Sequence, residues 1–332
     1  MDRRTVLAGM GAMAVGPTFA QGTASDDIPR WSSPVIDMHF HMRPTPEANV
    51  AHQVGAGVTA ANLLTVGDDA LQKVAALQAR DAKMFPCWFH AADITKPEAA
   101  AQLTAAIKAG AKGFGEIKFA VDADGPEMRR AYALAADLNV PILIHFQDPV
   151  GESKSFFNKG VRRFGAIVQA YPKTKFIAHA NSFWANVSAD NDDKATYPTG
   201  PVVPGGISDK LLTDYPNLFA DMSATSANTL LSRDAAFSTD FLKRHQDKLH
   251  FGSDCGCTDG RGGSAAPAGG RRAAPADAAA APAAGRGAGG VTVLRGKCIA
   301  RENLGILARN TTPEIFRKLA WTNAHRLIGL PA

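Results

Sequence analysis

Val35-Ile36-Asp37-Met38-His39-Phe40-His41 is an apolar run that ends in two histidines one residue apart. On a β-strand the side-chain period is 2, so His39 and His41 leave the backbone on one face. Asp37 shares that face, and two imidazole nitrogens can reach one metal ion. The pair alone decides nothing, because a strand can end in histidines by chance. What decides is whether later strands supply the remaining ligands.

Beyond this run the chain alternates short apolar stretches with helical patterns, as βαβ units and a parallel sheet do. Eight strands are predicted, near 35–39, 58–66, 84–89, 112–119, 140–146, 175–179, 217–221 and 248–253. Helical patterns fit between most of them, at 69–80, 97–109, 126–139, 159–171, 208–214 and 234–243, and resume at 304–308 and 313–330. This is close to the ~250 residues of a closed (β/α)₈ barrel. A doubly wound open sheet is the competing architecture, but no G-x-G-x-x-G follows the first strand. The predicted fold class is therefore α/β, a (β/α)₈ TIM barrel, with residues 31–332 as a single domain.

Catalytic groups of such barrels gather at the C-terminal ends of the strands. Here strand four ends with Glu116 and Lys118, strand five with His145, strand six with His179, strand seven with Asp221 and Ser223, and strand eight with Asp254. A single histidine in an apolar strand is usually a hydrogen-bonded core residue. Five polar strand ends in register carry a desolvation cost unless the groups pair or bind metal, so a shared metal site is predicted.

Composition adds bounds rather than function. The 332 residues are 45% hydrophobic and 20% charged, as in an ordinary globular protein. Of the net charge of +5, residues 1–22 hold +1 and residues 260–290 hold +3, which leaves +1 for the body. A nearly neutral body gives no electrostatic case for nucleic acid or an anionic membrane. Residues 1–20 read as an address: Arg3-Arg4, a weakly apolar run, then Thr18-Phe19-Ala20 before Gln21. The stretch resembles a bacterial twin-arginine export signal, which implies the export machinery as a partner, a periplasmic mature protein and no stable membrane anchor.

Together the motifs resemble the amidohydrolase superfamily, in its amidohydrolase-related branch of metal-dependent hydrolases and decarboxylases. They are Asp-Met-His-Phe-His at 37–41, Pro-Ile-Leu-Ile-His at 141–145, Tyr-Pro-Lys-Thr-Lys-Phe-Ile-Ala-His at 171–179, Phe-Gly-Ser-Asp at 251–254 and Asn-Ala-His-Arg-Leu at 323–327. The resemblance covers nearly all of the chain after the leader. It implies His39, His41, His145 and Asp254 as metal ligands. Asp254 is also implied as the acceptor of a proton from metal-activated water, and His179 as a second-metal ligand or proton shuttle. Zinc is the expected ion, with manganese as an alternative. One ion is favoured over two; in the two-ion case Glu116 or a carboxylated Lys118 bridges. The implied reaction is cleavage of an amide, lactone or ester bond of a small molecule. Non-oxidative decarboxylation of a carboxylated small molecule is the alternative, and an exported binding protein without catalysis is a third.

Further readings rest on single residues. Arg43 is expected to reach a substrate carboxylate, because its fork pairs with planar anions. Asp221 and Ser223 are expected to bind substrate or ligands, or else to cap the next helix. His52, His90, His245, His250 and His325 match no ligand position and read as structural. The long segment 181–206 is expected to cover the substrate. Residues 260–290, almost wholly Gly, Ala, Pro and Arg, are expected to be disordered. Cys255 and Cys257 precede that tract and Cys298 follows it. In an oxidising compartment a disulfide from Cys298 to Cys255 or Cys257 is expected, worth ~4 kcal/mol by chain entropy. The rival reading makes Cys255 and Cys257 auxiliary metal ligands. A homo-oligomer is left open.

Overall fold

A computed structural model describes residues 27–263, 294 and 296–330. The predicted leader and most of the predicted disordered tract lie outside the described residues.

Eight strands form one parallel sheet in sequential order. They are β1 (Ile36–His41), β2 (Ala60–Val66), β3 (Cys87–Ala91), β4 (Gly113–Ile117), β5 (Pro141–His145), β6 (Lys175–His179), β7 (Leu218–Met222) and β8 (Leu249–Phe251). Nearly every strand residue is buried, because helices cover the outside and side chains fill the inside. The ring closes between β8 and β1. There Asp37 Oδ1 accepts the N–H groups of Ser253 at 2.7 Å and His39 at 3.0 Å, and the Asp254 N–H donates to the His39 carbonyl at 2.9 Å. The barrel seam and the start of the histidine motif are thus one structure.

The outer helices are α1 (Pro46–Ala56), α2 (Ala70–Asp81), α3 (Ala99–Lys108), α4 (Pro126–Asp137), α5 (Phe164–Ala170), α6 (Asn181–Ala185), α7 (Ile207–Asp214), α8 (Ala224–Arg233) and α9 (Ala235–Arg244). After β8 come α10 (Ile299–Asn310), α11 (Pro313–Arg317) and α12 (Asn323–Ile328), the last two joined by a π turn over Lys318–Thr322. Among the described residues, no helix is long and apolar enough to cross a membrane.

The predicted strands agree with the observed ones to within a few residues. The helices differ more: α6 and α8 were not predicted, and three further differences stand out. Helix α1 was not predicted, because its buried face is polar: Asn49, His52 and Gln53. Thr45 and Gly57 bound it, the threonine side chain accepting from the Ala48 N–H and the glycine turning left-handed at φ 70°. The helix predicted at 159–171 begins with a 3₁₀ turn at Val161–Arg163, after Gly160 at φ 109°. The helix predicted at 313–330 is broken by the π turn.

Leu143 and Ile177 sit two residues before His145 and His179 and share their face. They belong to an apolar cluster with Met38, Leu64 and Phe89 that also takes in Ala324, Leu327 and Ile328 of α12. That helix lies beside Lys112, Pro141 and Lys175, where β4, β5 and β6 begin. One end of the barrel is therefore plugged with hydrocarbon, and the histidines occupy the other.

Candidate metal centre

Six side chains from five strand ends converge at the open mouth: His39 and His41 from β1, Glu116 from β4, His145 from β5, His179 from β6 and Asp254 after β8. Ligand atoms of His39, His41 and Glu116 all lie within 4.8 Å of one another. The same is true of His39, His179 and Asp254, and of Glu116, His145 and His179.

Glu116 is central. Its Oε2 lies 3.4 Å from His41 Nε2 and 3.9 Å from His39 Nε2, while its Oε1 lies 2.5 Å from His145 Nδ1 and 3.6 Å from His179 Nε2. One carboxylate thus faces two different histidine pairs with its two oxygens. Asp254 completes the group: Oδ1 is 3.5 Å from His41 Nε2, and Oδ2 is 3.8 Å from His179 Nε2. Its side chain keeps 30% of its surface open, whereas Glu116 keeps 8%.

Two imidazoles are oriented from behind by one carboxylate. His39 Nδ1 lies 2.5 Å from Asp221 Oδ2, and the Ser223 hydroxyl donates to the same oxygen at 3.1 Å. Because Ser223 donates there, its oxygen accepts from His179 Nδ1 at 2.8 Å. Both histidines then carry their N–H at Nδ1 and turn Nε2 toward Glu116 and Asp254. Space for this arrangement comes from Gly252: a Cβ there would overlap Asp221 Oδ1 and stand 2.7 Å from His39 Cβ.

The electrostatics suit a cation. Burial disfavours the His39 imidazolium, yet Asp221, Asp254 and Glu116 outweigh it and push its pKa up to about 10. Burial also opposes charge on Glu116, but the neighbouring His145, His41 and His39 hold its carboxyl well below the usual range. His179 behaves differently: burial, followed by repulsion from His39, keeps it neutral. Its Nε2 is buried and has no hydrogen-bond partner. A bare imidazole nitrogen beside two carboxylates, ringed by three further histidines, is a donor set that could hold a metal ion.

The other predicted site residues are placed as follows. Lys118 is exposed at the rim, its amine 5.3 Å from the centre of the Phe157 ring rather than among the histidines. The Arg43 guanidinium donates to the carbonyls of His41, Cys255 and Cys257 and lies 4.7 Å over Phe40. It ties the turn after β8 to the end of β1. Asp221 and Ser223 are buried behind the histidines. Ser223 stands at the N-cap of α8 but makes no side-chain capping bond. The expected disulfide is not formed: Cys255 Sγ lies 3.3 Å from Cys257 Sγ and 3.8 Å from Cys298 Sγ, beyond the ~2.05 Å of a bond, and the cysteines are free.

The segment 181–206 opens with α6 and is tied down elsewhere. Arg162 pairs with Asp193 at 2.9 Å, and the Gly151 N–H reaches the Asp193 carbonyl at 2.9 Å. Tyr197 on this segment is near enough to the mouth that burial and then the charge of Asp254 raise its pKa. Tyr197 was missed from sequence, as was Gln147, whose Oε1 is 3.4 Å from His145 Nε2. The Gln147 signal was present, two residues beyond a strand-end histidine, whereas Tyr197 carries none. His90, set aside as structural, lies 3.0 Å from the Thr65 hydroxyl through Nδ1.

A parallel eight-stranded barrel with histidines and carboxylates at the C-terminal mouth defines the class of metal-dependent barrel enzymes. Residues 20–330 match the amidohydrolase family model, and the chain belongs to that family. No curated protein matches it. Among solved structures it is similar to an amidohydrolase from Burkholderia multivorans with bound HEPES, at 14% identity, covering 90% of this chain and 100% of that one, TM-score 0.56. It is similar also to a probable 2-pyrone-4,6-dicarboxylic acid hydrolase from Acinetobacter baumannii with citric acid bound, at 10% identity, covering 90% and 100%, TM-score 0.51. A 2,6-dihydroxybenzoate decarboxylase from Rhizobium aligns at 13% identity over 90% and 99%, TM-score 0.49. At these identities the likeness is one of fold.

Proposed function

We propose that the chain is a metal-dependent hydrolase that cleaves an amide, lactone or ester bond of a small molecule. The observation that carries the reading is the placement of Asp254, which faces His41 and His179 while part of its surface stays open to the mouth. We further propose two ions rather than the one favoured from sequence. His39, His41 and Glu116 would hold one; Glu116, His145 and His179 would hold the other.

Divalent ions in that position supply Lewis acidity, which can lower the pKa of water from ~15.7 to about 7 and polarise an acyl oxygen. Asp254 accepts the proton of the attacking water at its carboxylate and returns it to the leaving nitrogen or oxygen. Asp221 and Ser223 hold the Nδ1 protons of His39 and His179, so those rings keep Nε2 free. The 181–206 segment, whose Tyr197 feels the charge of Asp254, would limit bulk water at the mouth. We also propose export to the periplasm, on the dyad Arg3-Arg4 and the weakly apolar run that follows it.

The test is a panel of lactones, amides and aromatic acids, with product analysis and Asp254→Asn as control. Hydrolysis products and a loss of ~10²–10⁴-fold in the variant are expected. Carbon dioxide release without water consumption would assign a lyase, and activity surviving in Asp254→Asn would remove the mechanism.

A further inference from the structure

The four-residue group formed by His52, Cys255, Cys257 and Cys298 shares no side chain with the barrel-mouth centre, and all of its members are buried. One ligand atom from each lies within 4.8 Å of all the others. Cys255 Sγ is 3.3 Å from Cys257 Sγ and 3.8 Å from Cys298 Sγ, and Cys298 Sγ is 4.0 Å from His52 Nε2. A tetrahedron with metal–sulfur bonds of about 2.3 Å has sulfur–sulfur edges of about 3.8 Å. The Cys255–Cys298 separation of 3.8 Å matches such an edge, the 3.3 Å between Cys255 and Cys257 is about 0.5 Å short of it, and both are far from a disulfide bond.

We propose that this group is a second, structural metal site of the Cys₃His type, with Zn²⁺ as its ion. Three thiolates and one imidazole are soft to borderline donors and select zinc over the hard divalent cations. With four protein donors the site has no open position, so its role is to hold the chain rather than to activate a substrate. Binding releases the three thiol protons to solvent, and the imidazole binds through its neutral Nε2.

What the ion would hold follows from where the ligands sit. His52 is on α1, Cys255 and Cys257 are on the turn after β8, and Cys298 is the N-cap of α10. The site therefore joins three segments and fastens both flanks of residues 264–293. Backbone N–H groups of Gly260 and Gly262 bond to the Cys257 sulfur, so the loop beyond the turn wraps the group as well. Arg43 grips the carbonyls of Cys255 and Cys257 from the other side. Cys255 directly follows Asp254, whose backbone is held at φ 42°, an uncommon conformation for a residue with a side chain. The metal site thus also positions the carboxylate at the barrel mouth.

The experiment uses the full chain purified without reductant. Cobalt-substituted wild-type protein is expected to show thiolate-to-cobalt charge-transfer absorption, which the nitrogen and oxygen donors of the barrel mouth cannot give. Unfolded, non-reduced protein is expected to yield four titratable thiols. In the zinc-loaded native protein, Cys298→Ser is expected to lower the metal content by one equivalent. The absence of a thiolate–cobalt band would overturn the proposal, as would two thiols missing from the unfolded, non-reduced protein. Both of those readings are made on the wild type, so a variant that fails to fold does not decide the outcome.

Discussion

Asp221 Oδ2 lies 2.5 Å from His39 Nδ1 and accepts the Ser223 hydroxyl that in turn holds His179 Nδ1. One buried carboxylate on β7 therefore fixes the tautomers of two histidines on β1 and β6. Replacing it with Asn leaves a weaker, uncharged acceptor with a single oxygen. Asp221→Asn is expected to lower the metal affinity of the barrel mouth ~10–100-fold. Chelator competition measures this, and an unchanged affinity would contradict the orienting role.

The space beside that carboxylate is equally constrained. A methyl group at Gly252 would overlap Asp221 Oδ1 and crowd His39 Cβ. Gly252→Ala is expected to destabilise the fold by about 1–3 kcal/mol, as overpacking does, and to reduce metal content at the same time. Denaturant unfolding and metal analysis of one preparation check both, and a stable variant with full metal content would speak against the packing argument.

Arg43 gives a prediction that separates bracing from substrate recognition. Its guanidinium serves three backbone carbonyls, a pattern that the point charge of lysine cannot reproduce. Arg43→Lys is expected to cost ~2 kcal/mol of stability while the Michaelis constants of carboxylate-bearing and neutral substrates move together. A selective rise for the carboxylate substrates would restore the sequence-based expectation.

Acid sensitivity has a source outside the mouth. Asp209 accepts from Arg244 Nη1 at 2.7 Å and lies 2.6 Å from His245 Nε2. Burial raises its pKa, but the hydrogen bonds and charges of His245 and Arg244 outweigh burial and lower it. A depressed carboxyl stabilises the fold fully above its unfolded pKa of ~3.9, and that contribution is lost as pH falls through the folded value. Asp209→Asn is expected to be less stable than the wild type by ~2 kcal/mol at neutral pH. The difference should close as the pH drops below about 4. A gap independent of pH would assign the effect to packing.

The strands were legible because each pairs a short apolar run with a polar residue at its C-terminal end. Topology then brings every such end to one mouth, so His39, His41, His145, His179 and Asp254 could be gathered before any coordinates. Glu116 and Lys118 could not be told apart: they lie two residues apart at one strand end, and the sequence does not show that β4 stops at Ile117, which leaves Lys118 beyond the strand and exposed. The particular partners of Asp221 and Arg43 were not legible for a related reason. A charged residue at an active-site mouth looks the same in sequence whether it meets substrate or meets backbone. His52 was unreadable as a ligand, since its helix has a polar buried face and no motif links it to cysteines some two hundred positions later.

The seam at Asp37 bears on the timing of assembly. The first strand and the turn after the last contribute donors to the same centre, and they meet only when Asp37 captures the Ser253 N–H. A chain interrupted before β8 can pair its earlier strands but lacks both the ring and Asp254. Completion of the mouth is therefore the last event of assembly: the carboxylate of Asp254 comes to face His41 and His179 only once the two ends of the barrel have met.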